Sequence, residues 1–515
     1  MAYAAAAQPD THNKRLFWGC FTAILATAFG FIARVLTAGE WGAEFGLSET
    51  QVGEILGAGL WPFAISIVLF SLVIDQIGYK AAMWFGFICQ VVSTGIIFTA
   101  QDYSMMYLGT FILALGSGTI EAYTNPLVAT VFTRDKTTWL NRLHGGWAGG
   151  LVLGGILAIA MGDMYWKYKI ALVLIPAVIY LVMLLPEKFP VHERVLAGVS
   201  YKDMLAEAGA LGAFIALTMV ILQLGQIFGL PSVVSWGLIV ALTAGYGFYT
   251  RSLGRPLFIL FLLIMIPLAT TELGVDSWIT ALMGGEMARI GINAGWVLVY
   301  TSAIMLVLRM FAGGLAHRVS PLGLMAGCSA LAIAGLWMMS TATGAMILVA
   351  ATLYGIAKTF FWPTTLAVVA DQFPRGGALT MNTVAGVGML AVGTLGAPFM
   401  GNVQDQNIDQ NLSAQAPQLH AQVMEPKSSL FGDYMGVNPT AVAALQPADQ
   451  ALVAQVSEAS QKEALRTIVI LPTLMMLFYI GLILYFRSRG GYRPASLSAD
   501  DPDRTQTISR SPMPA

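Results

Sequence analysis

Five charged side chains, Arg34, Glu121, Glu272, Arg309 and Lys358, fall inside long apolar runs of the sequence. A charge at the centre of a bilayer costs about 2.5–3.5 kcal/mol, so each needs a partner or a task. Two chemistries fit these residue types. Opposite charges on neighbouring helices can form structural ion pairs. Alternatively they line a polar cavity at mid-depth, where a carboxylate exchanges a proton beside a bound solute. At about 1.5 Å per residue, Glu121, Glu272 and Lys358 lie within about one to three turns of the middle of their runs. Arg309 lies nearer the cytoplasmic end of its run, close to His317 and Arg318, where it can snorkel, and a structural role is expected of it.

Hydrogen-bonding and aromatic residues crowd these charges. Glu121 is followed by Tyr123, Thr124, Asn125 and Pro126, Lys358 by Phe360, Phe361, Trp362, Pro363 and Thr364, and Glu272 by Asp276 and Trp278. Aromatic faces with a few convergent polar groups suit a sugar-like or amphipathic small molecule. Ordinary packing, or an interfacial position for Trp278, is the plainer alternative. There is no P-loop, no paired-histidine zinc motif and no nucleophile elbow. Cys20, Cys89 and Cys328 sit in apolar runs without metal-ligand spacing. The chain is therefore expected not to be an enzyme and to hold no metal or cofactor beyond a coupling ion, with a proton favoured.

The elements that must position these residues follow from composition. Hydrophobic residues make up 57% of the chain and charged residues 11%, against about 25% charged in soluble domains. Mean hydropathy is +0.70. Most of the surface must face lipid, and a net charge of −1 gives no footing for nucleic acid. A span needs roughly 20 apolar residues. Candidate spans start near residues 16, 53, 81, 105, 143 and 170, then 208 and 232, then 256, 294, 322, 345, 377 and 467. The expected fold is an all-α polytopic membrane protein with two six-helix halves and two extra helices between them, about 14 spans in all.

The expected organisation is a cytoplasmic N-terminal tail, 1–15, and a first six-helix half, 16–186. A linker with the extra pair, 187–255, precedes the second half, 256–488, which includes a long polar outer loop, 401–465. The tail, 489–515, reads as disordered. Residues 441–465 are rich in Ala, Gln and Glu and can form helix. The start of the chain lacks the features of a cleavable leader. Lys and Arg concentrate in alternate loops, which puts both termini in the cytoplasm and the chain in the cell (inner or plasma) membrane. Glycines 145, 146, 149, 150, 154 and 155 line the fifth span, a spacing that lets helices pack closely.

Residues 71–80, with Asp75, Gly78 and Lys80, resemble the signature loop of the major facilitator superfamily, Gly-x-x-x-Asp-(Arg/Lys)-x-Gly-(Arg/Lys)-(Arg/Lys). Ser71, Gln76 and Tyr79 depart from it. Gly313-Gly314-Leu-Ala-His317-Arg318 is a weaker echo in the second half. Gly116-x-Gly118-x-x-Glu121-x-x-x-Asn125-Pro126, Asn141-x-x-His144 and Glu272-x-Gly274-x-x-x-Trp278 are similar to the fucose:proton symporter branch, which includes glucose/galactose carriers. That branch carries an Asp in span 1. The corresponding position counted from Trp18 is Thr27. Lys358 or Arg34 would then pair with Glu121.

The resemblance implies a central cavity lined by helices 1, 4, 7 and 10, and Arg34, Glu121, Glu272 and Lys358 fall one on each. It implies cation-coupled uptake of a sugar or similar small polar solute by a monomer working by alternating access. Glu121, Asn125, Tyr123, His144, Glu272, Trp278, Lys358, Phe361, Trp362 and Arg34 would form the substrate and coupling site. Asp75, Gly78, Lys80 and Arg318 would form the cytoplasmic gating loops. The alternatives are a drug:proton antiporter, whose fourteen-span branch has a Gly-Pro motif in span 5 that is missing here, and a membrane sensor or scaffold that moves nothing.

Overall fold

The computed structural model describes residues 10–47, 49–276, 295–316, 318–342, 345–429, 432–495 and 497. The expectations for Trp278, for His317 and for most of the tail fall outside these residues.

Long apolar segments become helices because lipid offers no partner for backbone N–H and C=O groups. Among the described residues, 13 helices are long and apolar enough to cross a bilayer, and Leu298–Met310 is a shorter apolar one. The first six crossings are α1 (Asp10–Phe45), the pair α2 (Glu49–Gly57) and α3 (Trp61–Ile77), then α4 (Tyr79–Thr99), α5 (Tyr103–Val131), α6 (Lys136–Ala160), and the pair α7 (Trp166–Ala171) and α8 (Leu174–Leu184). A linker with the short α9 (Glu193–Leu196) leads to the extra crossings α10 (Tyr201–Phe228) and α11 (Ser232–Thr250).

The last six crossings begin with α12 (Pro256–Ala269), which runs on through a π turn, Thr270–Gly274. Then come α13 (Gly295–Met310), the short α14 (Ala312–Ala316) and α15 (Pro321–Thr341). A broken crossing follows, α16 (Ala345–Lys358) and α17 (Phe361–Gln372). Next is α18 (Gly377–Ala391), with a second π turn, Val392–Gly396, leading into α19 (Ala397–Gln415). The expected outer loop is an ordered extension. After α19 come α20 (Pro417–Val423), strands β1 (Met424–Ser429) and β2 (Gly432–Val437), and α21 (Pro439–Ala443). Helices α22 (Pro447–Ile468) and α23 (Ile470–Ser488) complete the chain. Ile408, Leu412, Val423, Val453 and Val456 give the extension its own core. The antiparallel hairpin pairs Met424 with Val437 and is the one pair of strands among the described residues. The helix expected from residue 441 starts at Pro447, a residue suited to a helix's first turn. The face of the bundle nearest this hairpin is called the hairpin side below, and the opposite face the linker side.

Two seams join the halves. At one, α6 lies between α1 and α13. A Cβ on Gly146 would fall 2.5 Å from the Phe21 carbonyl oxygen, and one on Gly155 2.8 Å from a Val299 methyl. At the other, Gly386 of α18 meets Val68 and the Ala64 carbonyl of α3. Helix α10 lies over this second seam, with Met219 packed among Ala64 and Leu390. On the linker side Tyr201 donates to the Leu72 carbonyl at 3.1 Å.

Candidate functional site

The break between α16 and α17 exposes backbone groups at the heart of the bundle. Arg309 of α13 donates from Nε to the Thr359 carbonyl at 2.7 Å, from Nη1 to the His144 carbonyl at 3.1 Å and from Nη2 to Glu272 Oε1 at 3.1 Å. The other oxygen of Glu272 accepts the Trp362 N–H at 3.1 Å. A carboxylate at the start of α17 is where a helix N-terminus favours negative charge. Glu272 itself stands on the π turn that follows Pro267. Such a turn adds a residue to the helix and re-aims its side chains. Arg309 does not snorkel: its side chain is 2% exposed, and its bonds to three other elements fit the structural role expected of it. Helical side chains tilt toward the N-terminus, which carries this one inward, where three acceptors await it.

On the facing half, Glu121 is buried on α5. Its Oε2 has no hydrogen-bond partner, and its Oε1 lies 3.8 Å from Nδ1 of His144. His144 Nε2 is 3.0 Å from Asn125 Oδ1. An amide oxygen can only accept, so Nε2 is the donor in this bond. Pro126 has no N–H, which frees the carbonyl four residues earlier. That carbonyl, of Ala122, accepts Nδ2 of Asn382 at 3.0 Å from the other half of the bundle. Asn141 likewise donates to Thr364 across the halves at 3.1 Å.

Neither Lys358 nor Arg34 pairs with Glu121, contrary to expectation. Lys358 is paired with Asp276, which stands one turn beyond Glu272 on the same helix. Arg34 donates from Nε to the Gly30 carbonyl of its own helix at 2.9 Å. The aromatics Tyr123, Phe361 and Trp362 are all buried, and the Tyr123 hydroxyl and Trp362 Nε1 have no partner. Orphaned polar atoms on Glu121, Asn125 (Nδ2), Trp362 and Asn382 (Oδ1) belong to the residues of this network, whereas the Tyr123 hydroxyl turns toward Cys20 and Tyr180 within its own half. Buried polar groups ordinarily find partners, so a polar ligand here would gain hydrogen bonds.

On the linker side, α3 ends at Gly78, whose φ of 79° suits glycine. Asp75 of α3 is paired with Arg194 of α9. Lys80 donates to the Leu185 carbonyl at 2.7 Å. Lys136 of α6 bonds Glu193 at 2.8 Å and the Ala370 carbonyl of α17 at 3.3 Å. Arg318 is exposed.

The sequence model of the Major Facilitator Superfamily matches residues 18–398. The chain belongs to the major facilitator superfamily. Members of this superfamily bind small solutes within the membrane. No curated protein matches the sequence. The human organic anion transporter MFSD10 (TETRAN) aligns over 92% of this chain and 100% of its own at 13% identity, with a TM-score of 0.57. The proton:xylose symporter XylE from E. coli aligns over 92% and 96% at 14% identity, again with 0.57. The E. coli fucose:proton symporter FucP aligns over 88% and 98% at 16% identity, with 0.49. The two higher scores speak to fold alone, and the lowest is given no weight.

In this transporter the sequence pattern understated Arg309, Asn382, Lys136 and Arg194. Arg309 stood out as a charge in an apolar run, but its partners lie on other helices. Asn382 offered a weaker signal, a carboxamide between threonines in a glycine-rich span.

Proposed function

We propose that this transporter couples the entry of a proton to uptake of a small polar solute, sugar-like in its hydroxyl-bearing chemistry. The first and second halves, 16–186 and 256–488, rock about the mid-depth site, with the linker side in the cytoplasm. The lysine and arginine bias of the linker-side loops supports that orientation. One monomer holds the whole site.

The observation that carries this reading is the isolation of Glu121. Glu272 has Arg309 and Asp276 has Lys358, whereas among the described residues Glu121 makes no ion pair with a lysine or arginine: His144 stands 3.8 Å away and Arg309 acts on it from farther off. An unpaired buried carboxylate is costly, and a bound proton removes its charge. Protonation and release at Glu121 change the charge beside His144 and Arg309, at the joint between the halves. A proton shifts the balance between inward- and outward-open states only if it binds them unequally. The span-4 pattern around Glu121, Asn125 and Pro126, which resembles sugar:proton symporters, supports the same reading, with Asn125, Trp362 and Asn382 offering groups to solute hydroxyls.

The test is transport in proteoliposomes under an imposed proton gradient, with L-fucose, D-galactose and D-gluconate as probes. Wild type should accumulate at least one probe against its gradient. Glu121→Gln should keep exchange of that probe and lose uphill accumulation. Undiminished accumulation by Glu121→Gln would remove Glu121 from the coupling role.

A further inference from the structure

Arg34 is the buried basic residue that the mid-depth network does not use. Its side chain is 6% exposed, and Nη1 has no partner. Among the described residues no ion pair involves it. Its guanidinium lies against the break between α2 and α3, where a Cβ on Gly59 would fall 2.0 Å from Nη1 and 2.8 Å from Cζ. Only a glycine admits so close an approach. Helix α3 opens two residues later with Trp61 and Pro62, and its N-cap, Leu60, supplies no side-chain cap. The first N–H groups of a helix have no partner inside it, and the N-terminus carries about half a positive charge. A full cation and a helix start without a side-chain cap therefore share one place; the carbonyl end of α2 offsets part of that charge, and among the described residues no acid pairs with Arg34.

The acids at mid-depth are too far away to pair with Arg34. Gly30 of α1 packs on Leu113 of α5, 3.0 Å from its built Cβ, which sets the register of the two helices. Arg34 lies about 6 Å beyond that level toward the hairpin side, and Glu121 about 12 Å toward the linker side. Those are backbone levels: the Arg34 side chain folds back to the Gly30 carbonyl and to Gly59, and with Gly118 packed on Phe63 about 10 Å of depth separates its guanidinium from Glu121.

We propose that Arg34 and the start of α3 form an anion-recognition site on the hairpin side, and that the transported solute carries a carboxylate. This rests on the reading of the chain as a proton-coupled carrier and narrows its substrate class from sugars to sugar acids and similar hydroxylated carboxylates. A guanidinium binds a carboxylate through two parallel hydrogen bonds; the Gly59 and Leu60 N–H groups are taken by the Leu56 and Gly57 carbonyls and Pro62 has none, so the first-turn donors open to an anion are those of Trp61 and Phe63. The mid-depth cations are not available for this task, since Arg309 and Lys358 already have their acids. A lipid phosphate is the less fitting source, because the guanidinium is enclosed by protein. A carboxylate that passes Arg34 and moves with the proton on Glu121 crosses the bilayer without net charge.

The test uses the full chain in nanodiscs of phosphatidylcholine alone. Thermal unfolding is followed with D-gluconate, D-galacturonate, D-galactose and inorganic phosphate. The two sugar acids should stabilise wild type at concentrations where galactose and phosphate do not. Arg34→Gln should weaken that binding at least tenfold, and Arg34→Lys, which keeps the charge, less so. Unfolding of each variant without ligand shows whether it is folded, and Arg34→Lys carries the comparison if Arg34→Gln is not. Stabilisation by galactose that survives Arg34→Gln overturns the anion site and leaves proton-coupled sugar uptake standing. Stabilisation by none of the probes, by phosphate as strongly as by the acids, or only when phosphatidylglycerol is added, overturns it too. Arg34-dependent binding of the acids without proton-driven uptake upholds the site and removes the coupling reading instead.

Discussion

Arg309 and Glu272, on separate crossings of the bilayer, meet at 3.1 Å with side chains 2% and 5% exposed. Removing one member of a buried pair strands the other charge and costs about 3–5 kcal/mol. Arg309→Gln and Glu272→Gln should each lower the unfolding temperature sharply. The double variant strands no charge, so it should be less destabilised than the sum of the singles. Thermal unfolding of the four proteins forms the cycle. Additive losses would show that the pair does not act as a unit.

Asn382 and Pro126 make a second coupled pair. The Ala122 carbonyl accepts from Asn382 because Pro126 cannot donate to it. Asn382→Leu leaves that carbonyl buried and unpaired, at about 1–3 kcal/mol. Pro126→Ala restores a local N–H, and the same Asn382→Leu change should then cost markedly less. An equal cost in both backgrounds, read by unfolding temperature, would sever the link between proline and asparagine.

The contrast between these two pairs shows what was legible in the sequence. The crossings could be read because lipid imposes one rule, a run of about 20 apolar residues, and Lys358 or Glu121 could be noticed because each breaks it. Pairing could not be read. Whether Lys358 meets Glu121 or Asp276 depends on the π turn at Thr270–Gly274 and the break at Thr359–Phe360, local irregularities with no fixed sequence spacing. The ordered extension after Gly401 was hidden for a similar reason. Its core residues, from Ile408 to Val456, are sparse among polar ones and come together only because α19 and α22 continue the helices below them.

Gly118 tests the close packing of α5 on α3. A Cβ there would fall 2.2 Å from the Phe63 carbonyl oxygen and 2.9 Å from its carbon. Backbone cannot step aside as a side chain can. Gly118→Ala should destabilise by about 1–3 kcal/mol, the scale of overpacking. Gly95, with nothing within 4 Å, is the control, and its change to Ala should be neutral or stabilising by up to about 1 kcal/mol. Equal unfolding temperatures for the two variants would refute the contact.

The linker ties should hold the linker side closed. Asp75 pairs with Arg194, and Lys136 joins Glu193 to the Ala370 carbonyl. Gln76 stands where the superfamily loop usually has a base, so Arg194 supplies the charge from the linker instead. Arg194→Gln should raise the alkylation rate of a cysteine placed at Thr364 several-fold. Restoring a basic residue through Gln76→Arg in that background should lower it again. An unchanged rate in Arg194→Gln would mean the tie bears no load in closure.

The same linker should weaken in acid. Burial holds the His192 imidazole below its ordinary value of 6.5, with Arg194 and Lys136 acting in the same direction and Asp75 and Glu193 against it. Its Nδ1 accepts the Arg194 N–H at 3.1 Å, a bond that only the unprotonated nitrogen can make. The docked linker therefore binds fewer protons at His192 than the detached one. Its stability is fully present above about pH 6.5 and falls as the pH drops below that value, by at most about 1.4 kcal/mol per pH unit. Hydrogen exchange of the amides from 192 to 200 should accelerate between pH 7.5 and 5.5, after correction for the intrinsic rate, and His192→Gln should remove most of that dependence. Flat protection across the range, or the same slope in His192→Gln, would place the titrating group elsewhere.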